Sequence, residues 1–278
     1  MKITNEEGKF DGKGGTKIYY QFWKPEKAKA VVLGVHGLAE YTGRYTHVAD
    51  HFANEEIAFY ALDHRGHGLS EGVRGHIDSF DDYLDDLDTF LEIVKEKEPG
   101  KKIFLLGHSL GGTISIAYTL KHPEKIDGLI LSSPGLKLAT ELDPELIKAI
   151  EELSKSNPTQ ELPNEIDPYN LSHDKEICEK YDKDPLVFKT ITARFGTEFV
   201  STMEKLIENA GMLKVPTLLL VAGDDKLVNP EGSKEFAERV TEKDFKMIIY
   251  DGFYHELFNE VEKEKVFREV DDWLKPRI

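Results

Sequence analysis

The sequence predicts an α/β protein with a mostly parallel sheet and helices on both faces. Short apolar runs bounded by turn residues recur along the chain, as expected of strands buried on both faces. Helical patterns lie between most of these runs, and such alternation brings the strands parallel. One long interval, 134–214, carries no comparable strand run and so needs a fold of its own.

The first three runs are IYYQFW (18–23), AVVLGV (30–35) and IAFYAL (57–62). A helix is predicted over FDDYLDDLDTFLEIVKEKEPG (80–100), where Tyr83, Leu84, Leu87, Phe90, Leu91 and Val94 share one face and Pro99-Gly100 ends the pattern. KIFLLG (102–107) is a strand that runs through a glycine-rich turn into the helical TISIAYTLKH, and GLILSS (128–133) is the next strand. In the long interval, LDPELIKAIEEL (142–153) offers Asp143 as N-cap, Pro144 at the first helical position, and an apolar stripe of Leu146, Ile147, Ile150 and Leu153. A small helical insertion over the C-terminal edge of the sheet is therefore expected, where ligands bind in open α/β folds. PTLLLVAG (216–223) and KMIIYDG (246–252) complete the strands.

With 278 residues and 40% hydrophobic content, the chain can bury a large core. Its formal net charge of −16 makes nucleic acid and anionic membrane surfaces poor partners, because binding phosphate takes clustered Lys and Arg. The N-terminal MKITNEEGKF lacks a basic segment followed by an apolar run, and nowhere do 18 apolar residues occur in succession. With a single cysteine, Cys178, no intramolecular disulfide framework is available. A soluble, cytoplasmic protein is the expectation.

Two segments match G-x-S-x-G: Gly107-His108-Ser109-Leu110-Gly111 and Gly68-Leu69-Ser70-Glu71-Gly72. A nucleophile elbow needs a strand feeding the serine into a strained turn, small neighbours, and a helix whose positive N-terminal end faces the site. Ser109 has all three. Ser70 follows polar and glycine residues with no apolar helix after it, which reads as a loop serine making local hydrogen bonds.

A serine hydroxyl becomes a nucleophile only beside a base held by a carboxylate. The last strand runs directly into His255, which has no histidine downstream and is the expected base. PTLLLVAG ends at Asp224-Asp225; one turn residue after the glycine is needed before the chain points back, which selects Asp225 as the orienting acid. The developing oxyanion needs two backbone N–H donors, one from Leu110 after the nucleophile and one from Leu38 in the loop of VVLGVHGLAE (31–40). His64-x-x-His67 lies in a glycine-rich turn with no paired carboxylate at metalloprotease spacing, so no metal is expected. His36 and His108 flank glycines beside the site and are expected to hydrogen-bond loop backbone.

HGLAEYTGRY (36–45), DHRGHGLSEGVRGH (63–76), GHSLGG (107–112), AGDDKLV (222–228) and GFYHELFNE (252–260) together resemble the monoacylglycerol lipase and lysophospholipase group of α/β-hydrolases. The similarity spans nearly the whole chain and extends to LSHDKEICEKYDKDPLVFKTITARF (171–195). It implies an α/β-hydrolase fold with core segments 1–133 and 215–278 and a small helical cap, 134–214, inserted after the sixth strand. It also implies Ser109, Asp225 and His255 as the triad and Leu38 and Leu110 as oxyanion donors. The cap would be mobile, its apolar face receiving an acyl chain and making any transient membrane contact. One departure is Ala39, which stands where the family usually has glycine in the oxyanion loop.

These readings converge on a serine ester hydrolase needing no cofactor, with monoacylglycerols first among small lipid ester substrates. A lysophospholipase or aminopeptidase using the same triad is the second expectation, and a non-catalytic binding module on this scaffold the third.

Overall fold

The computed structural model describes residues 2–141 and 143–278. The chain begins with β1 (Ile3–Asp11) and β2 (Lys17–Pro25), continues through β3 (Ala30–Val35), α1 (Thr46–Asn54) and β4 (Ile57–Leu62), then α2 (Asp81–Lys97), β5 (Ile103–His108), α3 (Leu110–Lys121) and β6 (Gly128–Ser132). After β6 come α4 (Pro144–Ser156), β7 (Glu161–Pro163), α5 (Lys175–Lys183), β8 (Thr190–Thr192) and α6 (Ala193–Glu208). The chain ends with β9 (Thr217–Ala222), α7 (Pro230–Arg239), β10 (Phe245–Tyr250) and α8 (Glu264–Leu274).

One eight-stranded sheet has the order β1-β2-β4-β3-β5-β6-β9-β10. Only β2 runs against the rest, pairing antiparallel with β1 and β4. The strands from β4 to β10 pair parallel, which the apolar runs anticipated. β1 is an addition to the expected strands: its sequence, ITNEEGKFD, is mostly polar because it forms the sheet edge with much of its surface in water. Counting it, β6 is the sixth strand.

Alternate residues of each central strand enter opposite cores. Val31, Leu33, Val35 and Leu105 pack with α2, α3 and α7 on one face. Ala30, Val32, Phe104 and Leu106 pack with α1 and α8 on the other. All six residues assigned to the apolar face of α2 are buried. Asp86 is buried beside them and is satisfied by Arg65, whose Nε and Nη2 donate to it at 2.7 and 2.8 Å.

Residues between β6 and β9 form helices and a separate two-stranded antiparallel sheet of β7 and β8. Asp143 caps α4, accepting from the Glu145 N–H at 2.8 Å, with Pro144 in the first turn as expected. Leu142, included in the predicted helix segment, lies outside the described residues. The apolar stripe of α4 is not core: Leu146 and Ile147 are 49% and 36% exposed. α4 rests on α6, with Ser154 Oγ 2.9 Å from Thr197 Oγ1. Elsewhere Leu171, Tyr181 and Val187 form a small cluster with Ala39 and, at its margin, Leu38 and Leu227. That cluster seats the segment on the loops that follow β3 and β9. Among the described residues, no helix is long and apolar enough to cross a membrane.

Candidate active site

β5 delivers Ser109 to its C-terminal edge, and α3 begins at the next residue. Between strand and helix Ser109 sits at φ 52°, ψ −119°, a conformation that a residue with a side chain adopts only under constraint. The constraint comes from neighbours that leave no alternative path. A Cβ at position 111 would collide with the carbonyl oxygens of Val35 and His36, and one at 107 would stand 2.5 Å from the Gly111 oxygen. Only glycine lets α3 start this close to β3. The Ser109 carbonyl accepts from the N–H groups of Gly112 and Gly135, both at 2.9 Å, which fixes the turn from two sides.

Asp225 and His255 meet beyond the ends of β9 and β10, adjacent parallel strands. Their side chains are 2% and 4% exposed, and His255 Nδ1–H donates to Asp225 Oδ2 at 2.7 Å. The other oxygen, Oδ1, accepts from the N–H groups of Leu227 and Val228 at 2.9 and 3.0 Å. Three hydrogen bonds thus hold the Asp225 carboxylate in place. Asp224 is exposed and pairs with Lys226 instead.

Electrostatics favour an imidazole poised to take a proton. Burial disfavours a charged His255, but the facing Asp225 carboxylate outweighs it and raises the pKa above the usual histidine value. Burial likewise opposes ionisation of Asp225, while His255 and the hydrogen bonds it accepts hold its pKa below the ordinary range. With Nδ1 committed to Asp225, Nε2 is left with its lone pair. His108 is pushed down to about 3, first by burial and then by His255, and its neutral ring lies 4.7 Å from that of His255. This contact places His255 beside the Ser109 turn. Among the described residues, no hydrogen bond joins the Ser109 hydroxyl to the His255 ring; such bonds commonly tighten only when substrate is bound.

The loop after β3 lies against the serine: a Cβ built on Gly37 would be 3.2 Å from that of Ser109. Ala39 takes the left-handed backbone conformation, φ 55°, that a glycine would adopt freely. Neither the Leu38 nor the Leu110 N–H has a hydrogen-bond partner among the described residues. Two unengaged amides flanking a strained serine can polarise a carbonyl oxygen. The expected backbone bonds of the flanking histidines are present, His36 Nδ1 to Gly37 O at 2.8 Å and His108 Nδ1 to Ser132 O at 3.0 Å. Burial keeps His36 and His64 neutral, and His36 Nε2 accepts from the His64 N–H.

Ser70 is engaged elsewhere. Its hydroxyl donates to the Asp63 carbonyl at 2.6 Å and accepts from the Tyr19 N–H at 2.8 Å, so both of its partners are backbone groups. Reasoning from sequence missed Glu40, Arg44 and Glu256, which lie buried behind the site. The only signals were a Glu-x-x-x-Arg spacing after the β3 loop and a glutamate adjoining His255.

A parallel sheet carrying a strained serine, an acid and a histidine at its C-terminal edge defines an α/β-hydrolase. The chain belongs to the family described as serine aminopeptidase, S33, whose model matches residues 26–262. It is 33% identical over 276 residues to the monoacylglycerol lipase of Mycolicibacterium smegmatis, covering 99% of this chain and 98% of that one. It is 31% identical over 248 residues to phospholipase YtpA of Bacillus subtilis, covering 88% and 95%. Among solved structures, a monoacylglycerol lipase of Paleococcus ferrophilus matches over the full length of both chains, with a TM-score of 0.84 and 32% identity.

Proposed function

We propose that this carboxylic ester hydrolase cleaves monoacylglycerols and other short to medium acyl esters through an acyl-enzyme intermediate. Ser109 attacks the ester carbonyl as His255 Nε2 takes its proton, and Asp225 holds the ring in the tautomer that leaves Nε2 free. The Leu38 and Leu110 N–H groups stabilise the oxyanion. His255 then protonates the departing glycerol oxygen, and water activated by the same ring releases the fatty acid. The observation that carries this reading is the buried His255–Asp225 pair beside a serine at positive φ.

Residues 134–214 serve as a cap in this reading, its apolar residues facing an acyl chain. The buried, unpaired Cys178 fits a reducing compartment, and a cytoplasmic location belongs to the same proposal. Likeness to monoacylglycerol lipases over the full chain favours a neutral glyceryl monoester over a phospholipid or a peptide.

The test compares turnover of a monoacylglycerol, lysophosphatidylcholine and a proline anilide by the parent and by Ser109→Ala. The monoacylglycerol should be the best substrate and the variant inert. A preference for the anilide would overturn the substrate assignment, and unchanged activity in Ser109→Ala would overturn the mechanism. A parent that hydrolyses none of them would point to a binding module.

A further inference from the structure

We propose that Glu40, Arg44 and Glu256 are positioning residues that hold the oxyanion loop in register with the base; the inference rests on the ester-hydrolase reading above. Glu40 lies in the loop after β3 and Glu256 directly follows His255, so the two carboxylates belong to the two segments whose relative placement sets the reaction geometry.

Arg44 joins them. Its Nη1 donates to Glu40 Oε2 at 2.7 Å, and its guanidinium forks onto Glu256, Nη1 to Oε1 at 2.6 Å and Nη2 to Oε2 at 2.8 Å. Glu40 Oε1 accepts from the Gly37 N–H and the Tyr45 hydroxyl. The Gly37 amide is thereby committed, and the Leu38 N–H that follows it is unengaged. The same bond closes the turn that carries Ala39 through positive φ. On the other side, the Glu256 N–H donates to the Leu171 carbonyl and Asn259 Nδ2 donates to Glu256 Oε2, both at 2.8 Å. Tyr181 underlies the guanidinium, 4.8 Å from its ring centre.

The burial of this network argues for geometry rather than stability as its use. The side chains of Arg44, Glu40 and Glu256 are 10%, 4% and 5% exposed. Two carboxylates and one guanidinium taken from water are costly to desolvate, and well-packed apolar residues of similar volume often serve stability as well or better. What apolar residues cannot supply is a directional link, here three guanidinium hydrogen bonds that join the two carboxylates. A narrow pocket lined by Arg44, His108 and Glu256 has room for about one water beside the network.

Arg44→Lys keeps the charge and loses the fork; Glu256→Gln keeps the Glu40–Arg44 pair and weakens the link to the His255 loop. Each is assayed for kcat and KM on a soluble acyl ester, for inhibition by an alkyl boronic acid, whose tetrahedral serine adduct occupies the oxyanion site, and for thermal unfolding. We expect kcat to fall about ten- to a hundredfold, KM to change by about threefold or less, and boronate affinity to fall in step with kcat, since small misplacements of catalytic groups have effects of this size. If Arg44→Lys fails to fold, Glu256→Gln carries the comparison. Folded variants with kcat and boronate affinity within about twofold of the parent overturn the proposal and leave the ester-hydrolase reading intact. A lowered melting temperature with full activity per folded molecule overturns it too, by reducing the network to a structural role. A parent inert toward every ester removes the reading on which both stand.

Discussion

His255 and Asp225 share a 2.7 Å hydrogen bond from Nδ1–H to Oδ2, while the adjacent Asp224 turns to Lys226 in solvent. Two adjacent aspartates thus have different surroundings, and only Asp225 holds the His255 ring. Asp225→Asn should reduce kcat by about 10⁴, because an amide that donates to Nδ1 selects the wrong tautomer. Asp224→Asn should stay within about twofold of the parent, as expected for an exposed ion pair of small energetic weight. Steady-state kinetics on both variants checks the contrast.

The raised pKa of His255 has a direction in a pH profile. Catalysis needs the neutral ring, so kcat/KM should rise with pH and level off above a midpoint higher than the usual histidine value of about 6.5. For stability the sign is opposite: a raised folded pKa stabilises the fold below about pH 6.5, and that contribution is lost as pH rises through the folded value. A midpoint below 6 in kcat/KM would contradict the assignment of His255 as base.

Gly111→Ala should be among the most damaging single changes outside the triad, since the added methyl collides with the Val35 carbonyl. Relief requires α3 to move away from β3, taking Ser109 and the Leu110 amide with it. Loss of labelling by a fluorophosphonate, with a melting temperature lowered by several degrees, is the expected result.

Ser70→Ala should do the reverse, sparing chemistry and weakening the fold. Its hydroxyl satisfies the buried Tyr19 N–H, and removing it should cost about 1–3 kcal/mol while kcat is retained. Denaturant unfolding and ester turnover, measured on the same preparation, separate the two effects.

Ala39→Gly should be close to neutral. Glycine relieves the strain of φ 55°, but it removes a fully buried methyl and adds freedom to the unfolded chain. These contributions are each about 1 kcal/mol or less and oppose one another. A thermal melt should move by only a few degrees, with activity unchanged.

Most of the fold was legible in the sequence because parallel strands are buried on both faces and leave continuous apolar runs. β3 and β4 coincide with AVVLGV and IAFYAL residue for residue. β1 was not legible, since a polar edge strand is held by its ladder to β2 rather than by an apolar pattern of its own. The stripe on α4 is legible as an apolar surface, but its exposure depends on what stands opposite, which periodicity does not encode. At the site, the elbow could be read because it requires glycines at fixed spacing. The Glu40–Arg44–Glu256 link spans 212 residues between Arg44 and Glu256, and nothing local marks such a pair.

β6 pairs directly with β9, Leu129 opposite Thr217 through Ser132 opposite Leu220, although more than eighty residues separate the two strands in sequence. That register is indifferent to how many residues the excursion contains, and the entropy of closing a loop grows only slowly with its length. The number of residues between Gly135 and Lys214 can therefore change while β6 and β9 keep their pairing. The sheet thus tolerates an excursion of any length between these two strands, and a chimaera that exchanges it can leave the Ser109 turn undisturbed only if it reproduces the contacts made by Gly135, Leu171 and Tyr181.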